Sequence, residues 1–108
     1  MSKVPPQAIE IEEGLLGGCL LDRETVEIAL DRLTPDHFYR PGNKHIFEAF
    51  QTLWEKNNQI DMLTVENLLK DRGQLESAGG STYLSDLTKY SGISGSTENY
   101  CEILTDKA

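Results

Sequence analysis

The feature that most constrains this chain is a helical periodicity of its apolar side chains, strongest over residues 43–57. Large apolar residues recur there at spacings of three and four, which places them on one face of a helix. Weaker stripes of the same period cover residues 7–21, 22–33, 61–72 and 81–90, and no segment alternates apolar and polar residues well enough to predict a strand. The strongest stripe consists of Ile46, Phe47, Phe50, Leu53 and Trp54.

Residues that cap or break helices divide this pattern into segments. Asp22, Asp61 and Ser96 stand where side-chain N-caps are preferred, and Pro41-Gly42 is predicted to interrupt the chain. We therefore predict an all-α fold, a compact orthogonal bundle of about six short helices. The helix of the strongest stripe is expected at its centre.

The predicted first helix contains three glycines, Gly14, Gly17 and Gly18. Each disfavours a helix by up to about 1 kcal/mol relative to alanine. Their presence predicts that another backbone packs closely against this segment. The alternative is a break in the helix near Gly17 and Gly18.

The apolar faces of the helices indicate which side chains form the core. Fully burying a large apolar side chain stabilises a fold by about 1.5–3 kcal/mol. The predicted core consists of Leu16, Leu20, Leu30, Ile46, Phe47, Phe50, Trp54, Leu68, Leu84 and Leu87.

The charge balance limits the partners of this chain. Its net charge is −8, and its 10 lysines and arginines are scattered singly. An acidic surface without clustered cations repels a phosphate backbone, so we predict little direct nucleic-acid binding and favour protein partners. Tyr39-Arg40, and Lys44 with His45, could touch nucleic acid. The alternative is a solvated loop whose ring packs onto the core.

No residue pattern for catalysis or metal binding emerges. His37 and His45 match no zinc spacing, and the sequence has no phosphate-binding loop followed by Lys and Ser or Thr. The carboxylates are expected at solvated positions. Cys19 and Cys101 lie among apolar residues, which predicts two buried reduced thiols, although spacing alone leaves a disulfide open. We therefore expect no enzymatic activity, no metal and no cofactor in this chain.

The N-terminal region shows no targeting segment. It lacks a basic stretch, and Glu10, Glu12 and Glu13 interrupt any apolar run. Neither a signal peptide nor a membrane span is predicted, and the chain is expected in the cytoplasm.

Several short strings stand in a characteristic order along the chain, each weak alone and specific in combination. They are Pro5-Pro6-Gln7 with Glu10 and Glu13; Leu16-Gly17 with Leu20-Leu21-Asp22; Asp36-His37-Phe38-Tyr39-Arg40-Pro41; Ile46-Phe47 with Ala49; Ile60-Asp61 with Thr64-Val65; Gly73 with Leu75-Glu76 and Gly79-Gly80; Tyr83-Leu84; and Tyr100 with Lys107-Ala108. This order resembles the N-terminal domain of bacterial replicative DNA helicases of the DnaB type over nearly the whole chain. Gly92 and Ser96 depart from the family's usual Pro and Asn, which leaves the entry angle of the last helix open.

The residue pattern and the resemblance together indicate a domain layout. The pattern predicts an extended arm at residues 1–6, a globular helical head at 7–90 and a linker at 91–95. The resemblance implies that residues 96–108 begin a helical hairpin that is truncated here. It also implies a RecA-like ATPase domain after this segment, which would bind ATP and Mg and make most DNA contacts.

The resemblance further implies protein partners. The N-terminal domains of this family form dimers, three of which make a collar that supports the hexamer and helps to dock primase. A helicase loader is a further candidate partner. Tyr100, Ile103 and Leu104 share one face of the last helix and would be left in water without a return helix. We therefore expect this stripe to bind a second copy in a symmetric dimer; the alternative is that it folds back onto the head.

The main rival interpretation is a stand-alone helical DNA-binding or adapter module. A DNA-binding module requires a basic recognition helix, which the net charge of −8 disfavours. A small enzyme is a third interpretation, and no recognisable site supports it. A Walker A motif downstream in the gene would decide for the helicase family.

The charge pattern generates a first prediction. Single- or double-stranded DNA is expected to bind the purified chain more weakly than the micromolar range at about 150 mM salt. Fluorescence anisotropy with labelled strands measures this directly. A micromolar or tighter dissociation constant for either strand form would contradict the inference that its partners are proteins.

Overall fold

The all-helical prediction is confirmed by the structure, a computed structural model that describes residues 6–90 and 97–106. These residues form six α-helices and one 3₁₀ turn, with no strand among them. The predicted linker, the predicted cap Ser96 and residues 1–5 of the predicted arm lie outside the described residues. The helices are α1 (Pro6–Leu21), α2 (Arg23–Arg32), α3 (Pro41–Glu55), α4 (Met62–Asp71), α5 (Gly80–Tyr90) and α6 (Thr97–Asp106), and the 3₁₀ turn is Pro35–His37.

Side-chain caps start two of these helices at the predicted positions. The Asp22 carboxylate accepts hydrogen bonds from the Glu24 N–H at 3.3 Å and the Thr25 hydroxyl at 3.1 Å. Asp61 and Thr64 exchange two hydrogen bonds, each 2.9 Å long, between the side chain of one and the backbone N–H of the other. This reciprocal capping box satisfies two backbone donors. α2 and α4 therefore begin directly after their capping residues.

Pro41-Gly42 opens α3, so the predicted interruption is wrong. Proline is well suited to a first helical position, where its missing N–H would have had no partner. A Cβ atom added to Gly42 would lie 2.9 Å from the Ser77 carbonyl oxygen and 3.0 Å from the Ala78 Cα. Glycine is therefore needed here because the loop before α5 passes close to the start of α3.

The centre of the bundle is α1. It packs against α2, α3, α5 and α6, whereas α3 packs mainly against α1, α4 and the 3₁₀ turn. The expectation of α3 as the central helix is therefore wrong, although α3 carries the strongest apolar stripe. The Cα radius of gyration is 12.6 Å, close to the value of about 13 Å expected for a compact domain of this length.

α1 runs without a break through its three glycines. The Cε2 atom of Tyr100 lies 3.5 Å from the position that a Cβ on Gly14 would take, and the Thr25 methyl lies 3.3 Å from that of Gly18. The prediction of a close backbone is wrong for these two positions. Gly14 and Gly18 instead make room for side chains of α6 and α2.

Most of the predicted core is buried. Leu30, Trp54 and Leu68 are only partly buried and pack against the edge of the core. An unpredicted ring, Phe38, lies 4.9 Å from Phe47 between ring centroids. The other seven predicted core residues are at most 3% exposed: Leu16, Leu20, Ile46, Phe47, Phe50, Leu84 and Leu87.

Burial distinguishes two aromatic residues of α3 in a way that can be measured. Phe50→Ala is expected to lower the free energy of unfolding by about 3–5 kcal/mol, because the buried ring leaves a cavity. Trp54→Ala is expected to cost about 1–2 kcal/mol, because this ring keeps part of its surface in water. Guanidinium unfolding followed by circular dichroism measures both, with the exposed Lys56→Ala as the control. Equal losses for the two rings would contradict the placement of Trp54 at the edge.

Candidate protein-interaction surface

The last helix, α6, lies on the head. It packs against α1 and α2, with Leu104 2% and Cys101 1% exposed, while Tyr100 and Ile103 are partly buried. The stripe of Tyr100, Ile103 and Leu104 is therefore not left in water, and α6 folds back onto the head as in the stated alternative, most clearly at Leu104. A helix of 10 residues is marginal by itself, so burial of its apolar face explains why it folds back.

Two thiols lie inside the head on α1 and α6. Cys19 and Cys101 are both free and buried, which confirms the predicted reduced thiols. Burial raises the pKa of each thiol above its usual value. Because the thiolate is the reactive form, a raised pKa keeps both side chains as unreactive thiols at neutral pH.

A buried carboxylate joins α1 to the start of α3. Glu12 is 1% exposed, and its two oxygens accept hydrogen bonds from the Tyr39 N–H at 2.6 Å and from Asn43 Nδ2 at 2.8 Å. Asn43 Oδ1 in turn accepts a hydrogen bond from the Tyr83 hydroxyl at 2.7 Å. A buried polar group is costly unless it is hydrogen-bonded. This satisfied network therefore specifies how α1, α3 and α5 pack together.

Arg40 covers the outer side of this network. Its guanidinium lies 5.0 Å from the centroid of the Tyr83 ring, and Nη1 lies 3.4 Å from Glu13 Oε2. Burial, partly opposed by the Arg40 charge, raises the pKa of Tyr83 to about 12, so its hydroxyl remains a donor at neutral pH. Arg40 therefore has partners within the head. The neighbouring Tyr39 is 59% exposed, and Phe38 is the ring that packs onto the core.

The buried network is the part of the head that sequence reasoning missed. The expectation that the carboxylates lie at solvated positions is wrong for Glu12. A signal was present, because Glu12 follows Ala8 by four residues and precedes Leu15 and Cys19 by three and seven, all on the buried face of α1. A carboxylate within an apolar helical stripe indicates a buried polar contact whose partners are distant in sequence.

We next consider which kinds of site the described residues can form besides protein contacts. Residues 6–90 and 97–106 contain no group of three or more His, Cys, Asp or Glu side chains placed to hold a metal ion. Among the same residues, every helix is too short or too polar to cross a membrane. Among these residues, the large apolar side chains most accessible to a partner are Leu21, Tyr39, Leu63 and Tyr90, while Ile103 of α6 and Trp54 of α3 keep part of their surface in water.

The sequence matches a known protein family over most of its length. The family model for the DnaB-like helicase N terminal domain matches residues 4–106. The chain belongs to this family. The resemblance seen in the sequence is thereby confirmed. In DnaB-type proteins this domain is the non-catalytic part, and ATP and Mg bind in the helicase domain.

Two solved DnaB domains have the same fold. The N-terminal domain of DnaB helicase from Mycobacterium tuberculosis superimposes with a TM-score of 0.88 and 33% identity, covering 96% of this chain and 75% of that one. The N-terminal domain of DnaB helicase from Helicobacter pylori, described with its interactions with primase, gives a TM-score of 0.71 and 25% identity. That match covers 94% of this chain and 78% of the other.

Curated relatives are replicative DNA helicases. The chain is 40% identical over 105 residues to replicative DNA helicase DnaB of Rhodothermus marinus, covering 97% of this chain and 11% of the relative. It is 32% identical to replicative DNA helicase DnaC of Bacillus subtilis, covering 98% of this chain. It is 34% identical to DnaB of Geobacillus stearothermophilus, also covering 98% of this chain. The chain spans 23% of each of these last two.

The buried network generates a stability prediction for this DnaB-like domain. Glu12→Ala is expected to lower the free energy of unfolding by about 3–5 kcal/mol, because it leaves two donors without their acceptor and opens a cavity. Tyr83→Phe is expected to cost about 1–2 kcal/mol, because Asn43 loses one donor. Urea unfolding measures both changes.

Glu10→Ala is the matched control, because Glu10 is an exposed carboxylate on the same helix. Its effect is expected to stay within about 0.5 kcal/mol. If Glu12→Ala were as mild as this control, the Glu12 hydrogen bonds would not hold α1 to α3.

Proposed function

We propose that this chain is the non-catalytic collar domain of a cytoplasmic replicative DNA helicase, where it supports the hexamer and helps to dock primase. The match of the fold to a DnaB N-terminal domain over 96% of this chain, with a TM-score of 0.88, supports the proposal best. ATP hydrolysis and most DNA contacts would then belong to a RecA-like domain of the complete helicase. The net charge of −8 agrees with a domain that meets proteins.

Self-association is the first part of this role. Leu104 holds α6 on the head, whereas Ile103 remains partly buried at the edge of that helix, with Tyr100 one turn before it. A second copy packed along this edge would remove the remaining apolar surface from water. Twofold closure is the commonest arrangement for such a contact. We therefore infer a symmetric dimer around Ile103 and Tyr100, three of which would build the ring.

Primase docking is the second part. The Helicobacter pylori DnaB domain was described together with its interactions with primase, and 94% of the present chain superimposes on it with a TM-score of 0.71. A shared fold and 25% identity support a shared partner class. We propose primase as a partner, and a helicase loader as a further one, with little direct contact to nucleic acid.

Sedimentation velocity tests both parts in one design. The chain is expected to form a dimer at several hundred micromolar, and to form a faster complex with the C-terminal domain of the primase from the same organism. Ile103→Asp is expected to weaken the dimer by at least about tenfold, because it places a charge in an apolar contact. Ser81→Asp, at an exposed position of α5, is the matched control. Thermal melts verify that both variants are folded.

The outcomes separate the two parts. If the wild type stays monomeric, self-association by this domain is excluded. If the wild type and Ile103→Asp dimerise equally, the interface lies elsewhere on the head. The absence of any complex with primase, while the dimer forms, would remove the docking role alone.

A further inference from the structure

A groove lies between α2 and α3 on the side of the head where Trp54 is partly exposed. Its volume is about 410 Å³. Both helices pack on α1, and the groove opens between them. Glu27, Leu30 and Asp31 line it from α2, and Gln51, Trp54 and Glu55 line it from α3.

The partly buried part of the groove lining consists of Leu30, Trp54 and Gln51, of which two are large and apolar. Leu30 and Trp54 are the two predicted core residues whose side chains pack against the edge of the core and also line the groove. The Arg23 guanidinium lies 4.4 Å from the centroid of the Trp54 ring, a cation–π distance. This contact bridges α2 and α3 at one side of the groove. The remaining surface of Trp54 and Leu30 is apolar area that a partner can cover.

The rim of the groove is acidic. Glu27, Asp31 and Glu55 are all exposed, and none of them forms an ion pair with any residue in the described ranges. No Lys or Arg of the described residues lines the groove, and the nearby Arg23 already lies over Trp54. Three exposed carboxylates beside two large, partly exposed apolar side chains favour a ligand that combines cations with large apolar groups.

The charge of the chain argues against two occupants. A second copy has a net charge of −8 and no two adjacent cations in its sequence, so it lacks a complement for this rim. Nucleic acid would bring phosphates against carboxylates. We propose that this groove docks an amphipathic helix of a partner protein, with Lys or Arg around one or two large apolar side chains. The apolar side chains would lie on Trp54 and Leu30, and the cations would reach the three rim carboxylates.

The inference does not depend on the collar role. The groove is formed by α2 and α3, whereas the proposed dimer contact lies on α6. A failure of dimerisation or primase docking would leave the groove and its charge unchanged.

The chain contains a single tryptophan, so the fluorescence of Trp54 reports on this groove alone. The probe is a synthetic helix of about 18 residues, long enough to be helical when bound, with Leu on one face and Lys on the other. Titration into the wild-type chain is expected to change Trp54 emission with a micromolar dissociation constant. Two control peptides replace Lys with Glu, or Leu with Ser. Each control is expected to bind at least about tenfold more weakly.

Charge reversal locates the site. The triple variant Glu27→Lys, Asp31→Lys, Glu55→Lys is expected to weaken the Lys and Leu peptide by at least about tenfold, since three ion pairs become repulsions. A control triple variant outside the groove, which has the same net charge as the groove variant, is expected to weaken binding by less than about threefold, because only the long-range charge effect remains. This matched control is Asp71→Lys, Glu76→Lys, Glu102→Lys, at exposed positions away from the groove.

Three results would overturn the proposal. Equal weakening by both triple variants would show a bulk charge effect. Equal binding of the Glu peptide would show a purely apolar contact. A change of Trp54 emission with protein concentration alone would identify a second copy as the occupant. The peptide comparison uses only wild-type protein, so it decides the matter even if a triple variant does not fold.

Discussion

The burial of α1 against four other helices is the constraint on which the rest of this structure depends. A helix surrounded in this way needs small residues where neighbours come close, which Gly14 and Gly18 supply. It also needs a partner for every polar group on its inner faces, and Glu12 obtains two through the Tyr39 N–H and Asn43. Because α6 also rests on α1, the position of the last helix follows from the same surface.

Packing around α1 places the reactive and charged side chains in contacts within the head, and leaves a different set of side chains on its surface. Arg40, which the sequence offers beside Tyr39 as a possible nucleic-acid contact, is held within the head by Glu13 and by the Tyr83 ring. The thiols are likewise internal, since burial raises the pKa of both Cys19 and Cys101. For a DnaB-like domain with a net charge of −8, the surfaces available for contact combine exposed apolar side chains with an excess of carboxylates. Such surfaces suit protein partners better than phosphate backbones.

Local features of the structure were predictable, and contacts between distant residues were less so. The cap at Asp61 depends on Thr64 three residues later, and the stripe of α3 depends on spacings within one helix, so both can be read directly from adjacent sequence. Gly42 was misread as a break because its role depends on the backbone of Ser77 and Ala78, more than thirty residues away. The expectation that Glu12 lies at a solvated position is wrong for the same reason. The proposed contacts around Ile103 and at the acidic groove join two molecules, so this chain's sequence alone cannot specify them.

The sequence by itself determined the all-α class, the helix starts at Asp22 and Asp61, most of the core and the family, because helix periodicity, capping and motif order are properties of neighbouring residues. Only the tertiary structure decided which helix lies at the centre, where Glu12 finds its partners, and that α6 rests on the head. These outcomes depend on which apolar faces meet and on whether each buried polar atom is satisfied there. Trp54 shows the distinction: its place on the α3 stripe follows from spacing, but its exposure beside Arg23 follows from how α2 and α3 pack on α1.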